Sequence, residues 1–175
     1  MSKPASHNFH STILREYDIR GIVGETLFEA DAYAIGRSFA TLLREEGGTT
    51  AAVGYDGRVS SPVLEEALVK GLMDSGVHVV RIGMGPTPML YYAEATLDNV
   101  DGGIQITGSH NPANYNGFKM VMQGRPFFGT DIVKIGEIAA AGEWTSHEGE
   151  AFTPTADRYD IIDDYVERLY YAAPR

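Results

Sequence analysis

Between residues 31 and 107, short apolar runs and capped amphipathic helices alternate three times, and this repetition constrains the fold more than any other feature of the chain. Asp31 opens a helix whose apolar stripe is Tyr33, Ile35, Phe39, Leu42 and Leu43, and Gly47-Gly48 ends it. The run Ala51-Ala52-Val53 then reads as a buried strand. Ser61-Pro62 is an N-cap signal followed by a proline suited to the first helical turn, and Gly76 follows the end of that helix. Residues 77–82 form the next strand, Thr87-Pro88 starts a helix through Leu97, and residues 103–107 form a further strand. The strands are too apolar for a sheet with one wet face. The expected fold is therefore α/β, a three-layer α/β/α sandwich with a mixed, mostly parallel sheet. In such sheets ligands sit at the carboxyl ends of the strands, where Asp56, Arg58 and Ser109 fall.

Past Pro112 the periodicity changes. Residues 118–122, a Gln123-Gly124-Arg125 turn and residues 126–128 predict a hairpin at the sheet edge. Thr130 begins another helix, closed by Gly142. Residues 143–156, with Trp144, Gly149 and Thr153-Pro154-Thr155, read as a connector, and residues 157–171 as a last helix with Ile162, Tyr165, Val166 and Leu169 on one side, stopping at Pro174-Arg175. This divides the chain into a domain at 1–142 and a connector with a terminal helix at 143–175. The apolar stripe of that helix predicts a patch around Tyr165, Leu169 and Tyr170 meant for a following domain.

Charge limits the partners. The formal net charge is −10, from 14 basic and 24 acidic residues, and the last fifth of the chain is the most acidic. A nucleic-acid backbone would be repelled. The absence of cysteine excludes disulfides and thiolate ligands and fits a cytoplasmic protein. No run reaches the length of a membrane span, and the first ten residues lack the apolar core of a signal peptide.

The chemistry concentrates where the strand at Ile104-Gln105-Ile106 ends in Thr107-Gly108-Ser109-His110-Asn111-Pro112. Gly108 and Asn111-Pro112 force a tight turn with Ser109 and His110 at its tip. Two readings of that turn stand side by side: a nucleophile carried on a rigid scaffold, or a surface turn whose Ser and Asn bond their own backbone. His110, Lys119 and Arg20 could bring positive charge to Ser109, as phosphoryl transfer requires, or could be a turn cap and solvated charges.

Thr107-Gly108-Ser109-His110-Asn111-Pro112 resembles the active-site serine loop of the α-D-phosphohexomutases, and Asn116-Gly117-Phe118-Lys119 resembles the segment that follows it there. Arg15-Glu16-Tyr17-Asp18-Ile19-Arg20-Gly21 resembles the amino-terminal signature of the phosphomannomutase/phosphoglucomutase branch. The resemblance spans the chain as the first of that family's four domains. It implies that Ser109 is carried as phosphoserine and that its phosphate contributes to binding Mg²⁺. It implies that the phosphate passes to a hexose 1- or 6-phosphate and returns from a bisphosphorylated sugar. Lys119, His110 and Arg20 would surround the moving group, with Lys119 or His110 as general acid/base, and Tyr17 would line the cleft. Arg20 would hold charge, because a guanidinium does not readily deprotonate.

Two departures stand out: Gly108 occupies a position where alanine is frequent, and the metal-loop, sugar-recognition and distal phosphate-clamp segments of the later domains are absent. Mg²⁺ wants six oxygens, so its other ligands would come from elsewhere, and the isolated domain is expected to be inactive. Two further classes carry the same residues: a Ser-His hydrolase, and a non-catalytic mutase-like module used for binding or regulation.

Overall fold

The computed structural model describes residues 6–148 and 153–173; Gly149 and Pro174-Arg175, named above, lie outside the described residues. The chain runs β1 (Ile19–Ile22), α1 (Glu29–Glu45), β2 (Thr50–Tyr55), α2 (Ser61–Asp74), β3 (His78–Met84), α3 (Thr87–Thr96), β4 (Gly102–Ile106), β5 (Tyr115–Met122), β6 (Arg125–Pro126), α4 (Thr130–Ala141), β7 (Ala156–Arg158) and α5 (Ile162–Ala172). One sheet carries the strands in the order β1-β5-β4-β2-β3-β7, with β6 paired to β5. β4, β2, β3 and β7 pair in parallel, whereas β5 runs antiparallel to β4, β1 and β6. β5 is thus the one strand of the described sheet that runs against the others.

Helices cover both faces. On one, α1, α2 and α4 close a core that includes Phe39, Leu43, Leu64, Leu68, Leu72, Ile135 and the strand residues Val53, Ile104, Ile106 and Phe118. On the other, α3 packs Met89, Leu90 and Ala93 on Ala52 and Ile82. This second layer is smaller. The central strands β2 and β4 are buried on both faces and read as continuous apolar runs for that reason. The expected three-layer sandwich is therefore present.

Local chemistry sets the ends of the helices. Asp31 falls in the first turn of α1 and accepts the Phe28 N–H at 2.7 Å, which satisfies a donor that the helix cannot. α2 begins at Ser61, with Ser60 as N-cap and Pro62 in the first turn, one residue earlier than the sequence signal suggested. α4 ends at Gly142 in the left-handed conformation (φ 65°).

The segment after α4 differs from the sequence expectation. Residues 157–161 are not helical. Ala156–Arg158 instead extends the sheet, pairing with Val79, Val80 and Arg81 of β3, and α5 starts only at Ile162. Upstream, the Trp144 indole donates to Ser38 Oγ at 2.9 Å, and Thr145 N–H donates to Thr41 Oγ1 at 3.0 Å. α5 itself has no buried residue. Tyr165 is half-buried against the Tyr92 ring at 5.7 Å, while Val166, Leu169, Tyr170 and Tyr171 are exposed. The patch expected around this helix therefore exists through Leu169 and Tyr170, with Tyr165 turned to an internal contact. Among the described residues, no helix is long and apolar enough to cross a membrane.

Candidate active site

The site grows out of the insertion of β5 between β4 and β1. Backbone register sets Gln105 of β4 opposite Lys119, and Arg20 of β1 opposite Gly117. Arg20 and Lys119 consequently project on the same face, as diagonal neighbours of the kind that lie about 7–8 Å apart in antiparallel pairs. Lys119 sits in the middle of β5 rather than at its start, as the sequence had suggested. Gly117 is required at this crossing, since a Cβ there would overlap the Ile19 carbonyl oxygen of the adjacent strand.

Arg20 is 5% exposed. Its Nη2 pairs with Asp18, its Nη1 donates to the Gly108 carbonyl at 3.3 Å, and its Nε has no partner. A buried guanidinium touching the residue before Ser109 is a fixed positive charge with donor capacity to spare. Lys119 is half-buried and lines a cleft of about 460 Å³ together with Tyr17, Tyr91, Glu94, Phe127 and Phe128. Tyr17 is 74% exposed and stacks on Phe128 with ring centroids 6.0 Å apart. The cleft thus gathers Lys119 and Tyr17 beside the α3 residues Tyr91 and Glu94, and the register sets the buried Arg20 on the same face of the sheet as Lys119.

Ser109 and His110 are both exposed at the carboxyl end of β4. Ser109 has φ 52°, a left-handed conformation that costs an L-residue roughly 1–2 kcal/mol. Its N–H is held by Thr107 Oγ1 at 2.9 Å, and Gly108 O accepts from the Asn111 N–H and Nδ2 at 3.0 and 3.2 Å. Ser109 Oγ and His110 Nδ1 lie 3.4 Å apart, at the limit of a hydrogen bond. Among the described residues no carboxylate orients His110. The nucleophile, base and orienter that a Ser-His hydrolase needs are therefore not assembled.

Sequence reading placed Asp56 and Arg58 at strand ends without giving them work. In the structure they are the frame of the loop. Asp56 Oδ1 accepts from Ser61 Oγ at 2.7 Å and from the Arg58 N–H at 3.1 Å, and Oδ2 accepts from the Gly108 N–H at 3.0 Å. Burial pushes the Asp56 carboxyl up, but the bonds from Ser61, Arg58, Thr107 and Gly108 outweigh it and hold the carboxyl below its ordinary value. Asn116, fully buried, donates through Nδ2 to Ser60 Oγ and Ser61 Oγ, tying β5 to the start of α2. An Asp56-Gly57-Arg58 turn immediately after a buried strand was the available signal for Arg58, but it does not say which carbonyls the guanidinium meets.

A sequence profile described as "Phosphoglucomutase/phosphomannomutase, alpha/beta/alpha domain I" matches residues 11–146. The chain belongs to this family. Domain I here is 38% identical over 97% of its length to the Pseudomonas aeruginosa protein "Phosphomannomutase/phosphoglucomutase", of which it covers 35%. It is 49% identical over 88% of its length to the Neisseria gonorrhoeae "Phosphoglucomutase", covering 33% of it. A crystal structure of a phosphoglucomutase/phosphomannomutase family protein from Burkholderia thailandensis superimposes with a TM-score of 0.87 at 38% identity, over 94% of this chain and 36% of that one. The chain thus spans about a third of the length of these curated relatives, and the relatives carry further domains.

Proposed function

We propose that the chain is the first domain of a phosphohexomutase that interconverts hexose 1-phosphate and hexose 6-phosphate, with Ser109 as the phosphoryl carrier. The observation that carries this reading is the exposed Ser109 hydroxyl on a rigidly framed loop, with the buried Arg20 guanidinium against the residue before it and one donor of that guanidinium unused. Phosphoryl transfer asks for placement and positive charge more than for covalent help, and these residues supply both.

In the first half-reaction the bond from phosphorus to Ser109 Oγ breaks as a bond forms to a hydroxyl oxygen of the hexose monophosphate. The hydroxyl proton passes to Lys119 or His110, and the serine oxygen leaves with a proton returned from the same set. The product is a bisphosphorylated hexose. Reorientation of that sugar and the reverse transfer return a phosphoryl group to Ser109 and leave the other isomer. Arg20 holds phosphoryl oxygens throughout, and Tyr17 lines the sugar cleft with Phe128 behind it.

A family metal, Mg²⁺, would neutralise phosphoryl charge. Among the described residues no group of three or more Asp, Glu, His or Cys could hold one, so this chain fits only the single ligand that a phosphate on Ser109 would add. The remaining ligands, and the choice among mannose, glucose and glucosamine, belong to the same proposal as contributions of later domains, against which α5 would pack. So do a domain I at 1–142 with a connector at 143–175, and a cytoplasmic setting.

The test is conversion of mannose 1-phosphate or glucose 1-phosphate to the 6-phosphate. The product of the complete reading frame that encodes this chain is expected to turn over and Ser109→Ala to abolish it. The chain of residues 1–175 alone is expected to show none. Steady turnover by the isolated chain would overturn the division of labour between domains.

A further inference from the structure

Two guanidinium groups meet the serine loop, and their donors are used differently. Arg58 donates from Nε to Asp56, and from Nη1 and Nη2 to the carbonyls of Pro112, Tyr115, Ser109 and Asn111, so every N–H it has is taken. Arg20 donates once to the Gly108 carbonyl at 3.3 Å and once to Asp18 Oδ2, and its Nε is buried without a partner. Arg20 is therefore the arginine with donors in reserve for a ligand. Among the described residues, Asp18 is the carboxylate that pairs with it.

Asp18 has supports of its own. It closes the turn Arg15-Glu16-Tyr17-Asp18, where the Arg15 N–H donates to the Asp18 carbonyl at 3.0 Å and Leu14 is bridged to Ile19. The Gly129 N–H pins that turn from outside by donating to the Glu16 carbonyl at 2.7 Å, beside the stack of Tyr17 on Phe128. The Asp18 side chain is 16% exposed and that of Arg20 5%, so the pair lies largely out of water.

We propose that Asp18 is the positioning residue of Arg20: its carboxylate, fixed by the 15–18 turn, holds the buried guanidinium against the Gly108 carbonyl with its remaining donors free for phosphoryl oxygens. What Arg20 then binds rests on the mutase reading. Residues two apart in an extended chain share a face, so the Asp18-Ile19-Arg20 spacing makes the pair locally. A buried guanidinium without a counter-charge would turn toward water or another acceptor, and its long side chain would sample several rotamers. Asp18 prevents both. Charge alone predicts the opposite sign, since removing a carboxylate beside an anion site would strengthen phosphoryl binding.

The test uses the product of the complete reading frame, with turnover of a hexose 1-phosphate and the NMR signal of the Arg20 Nε–H as separate readouts. Asp18→Ala is expected to lower kcat about 100-fold, the scale on which ångström misplacement acts, with KM changed less than about threefold. Asp18→Asn, whose amide oxygen still accepts from Nη2, is expected to fall only about tenfold below the unmodified protein. In an Arg20→Ala background, Asp18→Ala is expected to cost less than about twofold more, because the group it aims is gone. An unchanged or raised kcat in Asp18→Ala, a rise in KM with kcat preserved, or a full additional loss in the double variant would each overturn the positioning role.

The NMR readout needs no turnover. The buried Nε–H of Arg20 is expected to exchange slowly in the unmodified protein and at least about tenfold faster in Asp18→Ala, while the amides of β2 and β4 stay protected. Unchanged exchange would overturn Asp18 as the source of order at Arg20. Absence of turnover in the unmodified protein would count against the mutase reading and leave the exchange result to decide the pairing. If Asp18→Ala fails to fold, Asp18→Asn in both readouts and the double variant, which buries neither charge of the pair, decide it.

Discussion

Of the three non-glycine residues in the left-handed region among the described residues, Asn99, Ser109 and Gln123, the last two sit in turns that follow a strand of this sheet, and they are held by different means. At the β5–β6 hairpin, Gln123 (φ 49°) and Gly124 (φ 72°) link Met122 to Arg125, its cross-strand partner. A two-residue hairpin loop demands positive φ at both positions, so the local pairing of β5 and β6 imposes the geometry without help. At the serine loop, Ser109 (φ 52°) lies in the longer connection between the antiparallel neighbours β4 (ending at Ile106) and β5 (starting at Tyr115), where no two-residue turn dictates its conformation. It is held from outside by Arg58 and Asp56, more than fifty residues earlier in the chain. At Ser109 a distant side chain, Arg58, thus adds its bond to the local one from Thr107, whereas strand pairing alone shapes the hairpin turn.

If that contrast is right, removing outside support should damage the serine loop far more than the hairpin. Arg58→Ala is expected to cost about 2–3 kcal/mol in urea unfolding, since it strips charge-assisted bonds from four carbonyls at once. Glu94→Ala, which removes the acceptor of the Gly124 N–H at the hairpin, is expected to cost less than about 0.5 kcal/mol, because that contact is exposed. Equal losses would erase the distinction.

Asp56→Asn gives a smaller effect with a defined pH dependence. The folded-state carboxyl titrates below its ordinary value of about 3.9, so its contribution is present above that pH and is lost as pH falls through the folded value. Unmodified protein should therefore lose more stability between about pH 5 and pH 3 than Asp56→Asn, which should start about 1–2 kcal/mol lower and decline less at this site. Parallel pH curves would show that Asp56 does not frame the loop through its charge. The smallest change sharpens the other half of the comparison: Gln123→Asn is expected to stabilise by a few tenths of a kcal/mol, because Asn-Gly suits a two-residue hairpin. A measurable loss in thermal unfolding would mean that the Gln123 contact to the Glu46 carbonyl outweighs turn preference.

Local periodicity made much of the fold legible. The strand and helix alternation follows from continuous apolar strands and from terminal signals visible in the chain: the acid Asp31 in the first turn of α1, the Ser61-Pro62 pair one residue from the true N-cap, and Gly142. β7 escaped because Ala156–Arg158 is a three-residue edge strand with two exposed polar positions, which leaves no apolar run to read, and the acids around it resemble the first turn of a helix. At the site, Ser109, His110, Arg20, Lys119 and Tyr17 were legible as residue types in recognisable segments. The frame was not, because Arg58 acts on carbonyls, and carbonyls carry no sequence signature.

The central claim is that the loop presents Ser109 Oγ as the carrier of a phosphoryl group. The most direct measurement is peptide mass mapping of the product of the complete reading frame, as purified and after incubation with a hexose 1,6-bisphosphate. One phosphoryl group on the peptide containing Thr107-Gly108-Ser109-His110, assigned to Ser109 and lost on incubation with excess hexose monophosphate, is the expected result. Turnover that survives Ser109→Ala, or a phosphoryl group mapped stably to another residue while Ser109 stays unmodified, would contradict the account.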